Sequence, residues 1–518
     1  MSNPLEGRRF DLLVIGGGIT GAGVARDAAM RGLDVALVEK DDFASGTSSR
    51  SSRLVHGGIR YLEHAQIGMV RESVRERETL LRIAPHLVRP LQFTWPVYSG
   101  ARIGRWKLRA ALKLYDLLAR PSQEARHTLL DRDGVLTSEP RLSGDNLQGG
   151  ATYWDASTDD SRLTLANILS AASYGAVVAN HCAVIALISE NGKVNGAVVE
   201  HIRSAAPLEV TARVVVNATG PWRERVSAME NDALSGTAKT EARTIFRLGK
   251  ARSRSATKGV HVAVPRERVE NKAAITITSP DDGRVMFILP ADTCTIIGTT
   301  DTWTAESPDE VRPSGIDVSY LLRAANTYFP AATLTRDDVI GAWAGIRPLA
   351  SRAPGRNPSS ISREHAIALD AAGVITVSGG KLTTYRAMAA EIVDTVERSL
   401  GNKPSPCTTA DADLPGAERA GKVATLASGD PTLAEVIVPG LPYTLADLIY
   451  AIRNEMALTL SDLFMRRTRI AFECRDHGAA AAARVIDSVG RVAEWSEFRK
   501  RVEIEAYAAD IARVFWTS

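Results

Sequence analysis

The opening forty residues constrain this chain more than any other part of it. Asp11–Ile15 (DLLVI) is a short apolar run that reads as a buried strand. Gly16-Gly17-Gly18-Ile19-Thr20-Gly21 breaks the run, and Ile19–Arg31 follows with small residues at Ala22, Gly23, Ala25, Ala28 and Ala29. Val35–Glu39 is a second apolar strand, so the spacing predicts a βαβ unit. G-x-G-x-x-G alone is a weak pattern, but here it sits between a strand and a helix, as its mechanism requires. Gly16 permits a tight turn, Gly18 lets a pyrophosphate approach the backbone, and Gly21 lets the helix pack on the sheet. The helix N-terminus offers amide donors and a partial positive charge to phosphates. Glu39 is placed to accept from a ribose 2′-hydroxyl and disfavours a 2′-phosphate there. The plainer alternative is a glycine-rich turn with no ligand. Strand, helix and acid in register favour dinucleotide binding.

The 518-residue chain is long enough for two to four domains at about 100–200 residues each. Hydrophobic residues make up 45% and charged residues 24%, which supports a large core in a soluble protein. A net charge of +3 gives no case for nucleic acid. Cys182, Cys294, Cys407 and Cys474 are far apart, so neither a disulfide scaffold nor a metal site is expected. The polar Met1–Phe10 segment has no apolar core of a signal peptide. No apolar run approaches the roughly 18 residues of a membrane span, so any membrane contact is expected to be peripheral.

Further along, 41–58 reads as a Ser- and Gly-rich loop, Arg71–Leu81 and Leu163–Tyr174 as helices, and Val177–Ile188 as a strand. Arg213–Ala218 is a strong strand prediction, and Val285–Pro290 with Thr295–Gly298 predicts an antiparallel pair. Gly373–Ser378 reads as a strand, and Gly379-Gly380 leads to a helix from about Thr383 to Leu400. Residues 401–416 look like a linker, and 417–518 a helical domain in which Tyr450–Phe472 shows helical spacing.

No second G-x-G-x-x-G follows, so the electrons are expected from a bound substrate rather than from a second nucleotide. Asn217-Ala218-Thr219-Gly220-Pro221-Trp222 resembles the segment that many flavoproteins place beside FAD. Asp42–Glu63 (DFASGTSSRSSRLVHGGIRYLE), Ser378–Arg386 (SGGKLTTYR), Ile297–Asp301 and Gly345–Leu349 extend the likeness. Together these motifs resemble the FAD-dependent, membrane-associated glycerol-3-phosphate dehydrogenases, and Glu455–Phe472 resembles the C-terminal helical domain of that family.

The resemblance implies an α/β glutathione-reductase-like FAD-binding fold with an interleaved mixed-sheet substrate cap, plus a C-terminal all-helical domain. The expected oxidoreductase domain is 1–400, with FAD-binding parts at about 8–90, 150–235 and 340–400 and the cap at about 91–149 and 236–339. It implies oxidation of sn-glycerol 3-phosphate to dihydroxyacetone phosphate, with electrons passed to a membrane quinone. It implies a cytoplasmic protein attached peripherally to the inner face of the cell membrane. FAD is expected to be non-covalent, and a homodimer is the candidate assembly.

That chemistry needs a base, an electrophile and a grip on a phosphate dianion. Arginine suits the phosphate because its fork bonds two oxygens and stays charged. Arg60, Arg347 and Arg363 are the candidates, with Tyr61 as an added donor. His56 is a candidate base because imidazole titrates near neutral pH, and His261 is its rival. His261 stands in Lys258-Gly259-Val260-His261, where many family members carry serine in place of Val260. Lys381 is placed to stabilise a developing alkoxide or a reduced flavin. Thr47, Ser48 and Ser49 are candidate FAD donors, joined by Ala218, Gly220, Gly380, Leu382 and Thr383.

Arg102–Arg120 is the candidate membrane contact. As a helix it sets Arg102, Arg105, Arg109, Lys113 and Arg120 beside Ile103, Trp106, Ala110, Leu114 and Leu117. A packed cap helix with a solvated basic stripe is the competing reading. Two other functions share these residues: an FAD oxidase using oxygen, and a flavin-binding subunit without catalysis.

Overall fold

The computed structural model describes residues 4–64, 66–119, 125–202, 206–235, 256–348 and 365–516. The glycine-motif strand Arg9–Ile15 lies at the centre of a parallel sheet ordered Val177–Ala179, Val35–Val38, Arg9–Ile15, Leu208–Asn217, Val374–Ser378. Ala366–Leu369 closes one edge antiparallel. The small residues of Ile19–Met30 serve close packing. A Cβ at Gly23 would lie 2.9 Å from the Tyr385 ring, and Tyr385 opens the Tyr385–Ser399 helix packed alongside. The second helix neighbour, Asp160–Ser173, is capped by the Asp159 carboxylate, which accepts from the Arg162 amide.

The strand expected over Val177–Ile188 is two strands, Val177–Ala179 and Cys182–Glu190. The break has a physical cause. Asn180 Nδ2 donates to Asp42 Oδ1 and to the Met456 carbonyl, both at 2.9 Å, and His181 turns the chain with φ +49°. Cys182–Glu190 then pairs with Lys193–His201 as a hairpin beside Leu208–Asn217.

The cap is a larger, mixed sheet. Its main path runs Thr302–Thr304, Ala256–Pro265, Cys294–Gly298, Val285–Pro290, Ala274–Thr278, Val88–Tyr98, Leu147–Thr158, Leu54–Val55. Ala274–Thr278 runs parallel to Val88–Tyr98 and the other pairings are antiparallel. Gly341–Pro348 also belongs to this sheet, in register with Ala256–Pro265 from Gly341↔Ala263 to Pro348↔Ala256. Residues expected in the nucleotide-binding parts, at 54–55 and 341–348, therefore hydrogen-bond into the cap. For 341–348 the reason is that Ala256–Pro265 is buried along nearly its whole length and needs a partner on each side, while Leu54–Val55 extends the far edge beside Leu147–Thr158.

The predicted helical run Tyr450–Phe472 is broken into Leu445–Asn454, Leu460–Asp462, a π-turn at Leu463–Arg467 and Ile470–Glu473. Met456 takes φ +56°, and Thr459 with Asp462 forms a capping box that restarts the helix. The breaks aim a row of arginines at the nucleotide-binding domain. Arg466 and Arg467 both reach Asp42 at 2.6 Å, and Arg469 reaches Asp159 at 2.7 Å and Asp160 at 2.9 Å. Glu455 binds Arg162 at 2.7 Å across the same seam and Arg419 at 3.0 Å within the C-terminal domain.

The Arg105–Ala119 helix packs through Leu108, Leu112 and Tyr115, not through the stripe expected from the sequence. Ile103 and Leu114 are half-buried, whereas Trp106 is 77% and Leu117 71% exposed. Among the described residues, no helix is long and apolar enough to cross a membrane.

Glu455 carries a test of the seam. Burial works against its charge, but Arg162 and Arg419 outweigh burial and lower its pKa from 4.5 to about 2. A depressed carboxyl contributes stability that is complete above its unfolded value and lost as pH falls through the folded one. Stability should therefore erode from about pH 4.5 towards pH 2 as this group protonates. Glu455→Gln should cost about 3 kcal/mol at neutral pH in urea denaturation and flatten that acid limb.

Candidate active site

The nucleotide cradle is built by backbone proximity. Gly16 has φ +111°, and a Cβ there would sit 2.8 Å from the Ala218 carbonyl oxygen. A Cβ at Gly21 would sit 1.9 Å from the Gly16 carbonyl oxygen. Gly18 caps the Ile19–Met30 helix with no side-chain bond. The Gly17 amide donates to Glu39 Oε2 at 2.7 Å, and the Ile19 amide donates to Ser48 Oγ at 2.9 Å. Burial and the neighbouring Asp41 push the Glu39 carboxyl pKa up.

A cavity of about 250 Å³ follows this cradle. Of the residues predicted from sequence, Gly16, Gly18, Ile19, Glu39, Thr47, Ser48, Ala218, Gly220, Gly380, Lys381 and Leu382 line it. Gly17, Gly21, Ser49 and Thr383 stand behind the wall. Thr47 donates its hydroxyl to the Ile346 carbonyl at 2.6 Å, and Ser49 donates to the Gly46 carbonyl at 3.3 Å. Both hydroxyls tie the loop to protein, which differs from a direct donor role toward a cofactor.

Sequence reasoning missed Ala183 and Val184, which reach the wall through the hairpin and carry no local motif. It also missed a clasp at the cavity edge. Trp222 Nε1 donates to Asp309 at 2.8 Å, Arg225 ion-pairs with the same carboxylate, and Lys40 lies 4.8 Å over the Trp222 ring. These residues fit a dinucleotide. The glycines leave no Cβ in the cradle, and Gly18 puts no side chain at the helix N-terminus beside the cavity.

A second, much smaller cavity is walled by His56, Tyr61, Phe93, Tyr153 and Phe287 among others. The His56 ring packs edge-on to Phe287 at 6.3 Å. Lys381 Nζ stands 4.1 Å from the centre of the Tyr61 ring, so it touches the walls of both cavities. The structure thus brings Lys381 to His56 and Tyr61, more than 300 residues earlier in the sequence.

Arg347 and His261 form a separate group. Arg347 donates to Asp301 Oδ1 at 3.1 Å, to the Thr300 carbonyl at 3.2 Å and to Thr299 Oγ1 at 3.0 Å. His261 Nε2 is 2.9 Å from Ser52 Oγ, and its ring stacks on Trp343. Burial, helped by the Arg347 and Arg53 guanidiniums, lowers the His261 pKa to about 3. The two groups are linked through the sheet: Phe287 pairs with Gly298, and Gly298 pairs with His261. Arg363 and the Arg60 side chain lie outside the described residues.

Asp42, His181 and Asp462 also converge with potential ligand atoms within 4.8 Å of one another. The Arg466 and Arg467 guanidiniums already supply the cations there, so the cluster reads as an ion-pair network.

The profile of the FAD-dependent oxidoreductases matches residues 11–386, and that of the C-terminal domain of alpha-glycerophosphate oxidase matches 407–500. The protein is accordingly an FAD-dependent oxidoreductase, and FAD is the dinucleotide that its cradle holds. A glycerol-3-phosphate dehydrogenase from Synechocystis sp. is 36% identical over 97% of this chain and 96% of its own length. One from Mycobacterium leprae is 37% identical over 97% of this chain and 88% of its own. The crystal structure of glycerol-3-phosphate dehydrogenase from Bacillus halodurans complexed with FAD superposes with a TM-score of 0.75 at 30% identity, covering 98% of this chain and 96% of that one. The chain belongs to the FAD-dependent glycerol-3-phosphate dehydrogenase family.

The cradle is testable through a single methyl group. Gly21→Ala places a Cβ against the Gly16 carbonyl. The variant should purify with little bound flavin, read from visible absorbance against protein. Wild-type flavin content in that variant would overturn this account of the cradle.

Proposed function

We propose that this protein oxidises sn-glycerol 3-phosphate to dihydroxyacetone phosphate and passes the electrons to a membrane quinone. The observation that carries the reading is the meeting of the His56 cavity with the FAD cavity at Lys381 and Tyr61, in a chain similar over its full length to enzymes named for this reaction.

FAD supplies the hydride acceptor when bound. The chain's own groups must then take a proton, stabilise an alkoxide and hold a phosphate. His56 takes the hydroxyl proton, since its ring lines the apolar-walled cavity next to the cofactor site. His261 is a poor rival because a group with a pKa of about 3 has little proton affinity near neutral pH. Lys381 stabilises negative charge on the substrate oxygen from the boundary of the two cavities. Aromatic walls from Phe93, Tyr153 and Phe287 exclude water and strengthen those electrostatic effects. Arg347, held in place by Asp301 and Thr299, is the proposed phosphate ligand among the described residues. Arg60 and Arg363 join it on the family resemblance.

An anaerobic titration with sn-glycerol 3-phosphate tests the reading. The flavin should bleach rapidly, with glycerol and amino acids inert. His56→Ala should slow bleaching at least about 100-fold, and Arg347→Ala should chiefly raise the substrate concentration needed. A flavin that stays oxidised in the wild type would refute the substrate assignment. Reoxidation by a quinone analogue should outpace that by air; the reverse order would identify an oxidase.

The outer face of Arg105–Ala119 supports peripheral attachment to an anionic membrane. Trp106 and Leu117 project into solvent among the exposed Arg102, Arg105, Lys107, Arg109 and Lys113. Replacing Trp106 and Leu117 together by Ser should reduce sedimentation with anionic vesicles while leaving flavin bleaching by substrate intact. Undiminished sedimentation would remove this helix as the contact.

A further inference from the structure

The His56–Gly58 turn carries the proposed base, yet little regular structure holds it. Only Leu54–Val55, a two-residue strand, precedes it. Its backbone is fixed by side chains from two directions. From the cofactor side, Thr383 Oγ1 accepts from the His56 amide at 3.1 Å and lies 3.3 Å from the His56 carbonyl. From the cap side, the Gly57 amide donates to Asp155 Oδ1 at 2.9 Å.

Asp155 belongs to the Leu147–Thr158 strand and is 4% exposed. The same Oδ1 accepts from Tyr115 Oη at 2.6 Å and from Arg77 Nη1 at 2.6 Å. Arg77 is itself buried, donates to the Trp154 carbonyl at 3.0 Å, and forks onto Glu78 with its other nitrogens. Tyr115 comes from the inner face of Arg105–Ala119. Contact at Gly57 is close: a Cβ there would sit 2.2 Å from Tyr115 Oη and 2.6 Å from Val74 Cγ2. Gly58 follows with φ +72°.

A buried ion pair of this kind is seldom explained by stability. Desolvation offsets most of its Coulombic gain, and apolar residues of equal volume often serve a core as well. What an apolar replacement cannot supply is an acceptor for the Gly57 amide. Asp155 also lines the His56 cavity, so any shift of its position is felt where the substrate would sit.

We propose that Asp155, oriented by Tyr115 and Arg77, is a positioning residue for the reaction: it fixes the His56–Gly58 turn so that the imidazole meets the substrate hydroxyl. This rests on the reading of His56 as the base. Three helices and strands distant in sequence thereby share one oxygen atom, with Arg77 supplying the countercharge. A misplacement of about 1 Å in such a turn is enough to cost on the order of 100-fold in rate.

The test uses the FAD-loaded full chain and stopped-flow bleaching with sn-glycerol 3-phosphate. Asp155→Asn should slow bleaching at saturating substrate at least about 10-fold, and the half-saturating concentration should move less than about 3-fold. Tyr115→Phe, which leaves the carboxylate and Arg77 in place, should fold and retain flavin normally while showing a smaller loss of the same kind. Leu112→Ala is the structural control, because it opens a cavity in the same helix and removes no hydrogen bond to Asp155. It should lower the melting temperature yet leave the bleaching rate of the flavin-bound fraction unchanged. Equal slowing by Leu112→Ala and Tyr115→Phe would reduce the effect to stability and overturn the proposal. So would unchanged bleaching in Asp155→Asn and Tyr115→Phe; if His56→Ala is still slow, the base assignment survives that result. If His56→Ala bleaches at the wild-type rate, the base assignment and this proposal fall together.

Discussion

Asp42 has no access to water, and two guanidiniums of the C-terminal domain neutralise it, Arg466 and Arg467 each at 2.6 Å. It stands at the start of the segment that supplies Thr47 and Ser48 to the cofactor cavity and then His56 to the substrate cavity. That segment has few regular backbone partners. A second tether follows at Ser51, whose amide and hydroxyl donate to Asp160 Oδ2 at 3.1 and 2.7 Å, while Arg469 binds the other oxygen of Asp160 at 2.9 Å. The loop therefore takes its shape from arginines contributed by another domain. Removing one member of such a pair leaves a buried charge uncompensated, which is far costlier than replacing the whole set. The helical domain thus has a physical role that its composition does not reveal: it braces the loop on which both cavities depend.

The cap depends on the same loop from the opposite side. Thr47 donates to the Ile346 carbonyl, and Ile346 neighbours Arg347 in a strand fully paired with Ala256–Pro265. The cofactor loop and the proposed phosphate ligand are therefore coupled through one hydrogen bond of 2.6 Å. Asp309 makes a second link, from the segment between Thr302–Thr304 and Gly315–Tyr328 to Trp222 and Arg225 of the nucleotide-binding domain. Burial opposes the charge on Asp309, yet Lys40, Trp222 and Arg225 outweigh it and hold its pKa down. These charge-assisted bonds add directional links between the cap and the nucleotide-binding domain around the cavity, beside the apolar contacts the two already share.

Local signals account for what could be read from the sequence. Gly16, Gly18 and Gly21 act within one turn, so their spacing alone describes the cradle. Apolar runs such as Val214–Val216 become buried parallel strand because a sheet covered on both faces needs no polar alternation. Where a distant partner decides the outcome, the pattern misleads. Val177–Ile188 is uniformly apolar except at Asn180 and His181, and it is Asn180's bonds to Asp42 and Met456 that split it. Tyr450–Phe472 has helical spacing throughout, yet the seam with Asp42 and Asp160 requires its breaks. Asp155 carried no local signal at all. Its proposed role follows from three donors 40 to 98 residues away in the chain, brought to one oxygen by the fold.

His56 and its weaker rival on sequence grounds, His261, are separated by their surroundings. His261 is enclosed beside Trp343, Arg53 and Arg347, where each guanidinium raises the cost of a second positive charge. Binding a phosphate dianion at Arg347 would offset part of that cost, but desolvation, the largest cause, would remain. His56 sits instead among Tyr61, Phe93 and Phe287, with the Asp155 carboxylate on the same cavity wall and Lys381 at its mouth. An anion nearby favours the imidazolium that proton transfer creates, and a cation at the mouth favours the alkoxide formed in the same transfer. The assignment of the base thus follows from where the fold distributes opposite charges around one apolar cavity, and that distribution exists only after three sequence-distant segments have met.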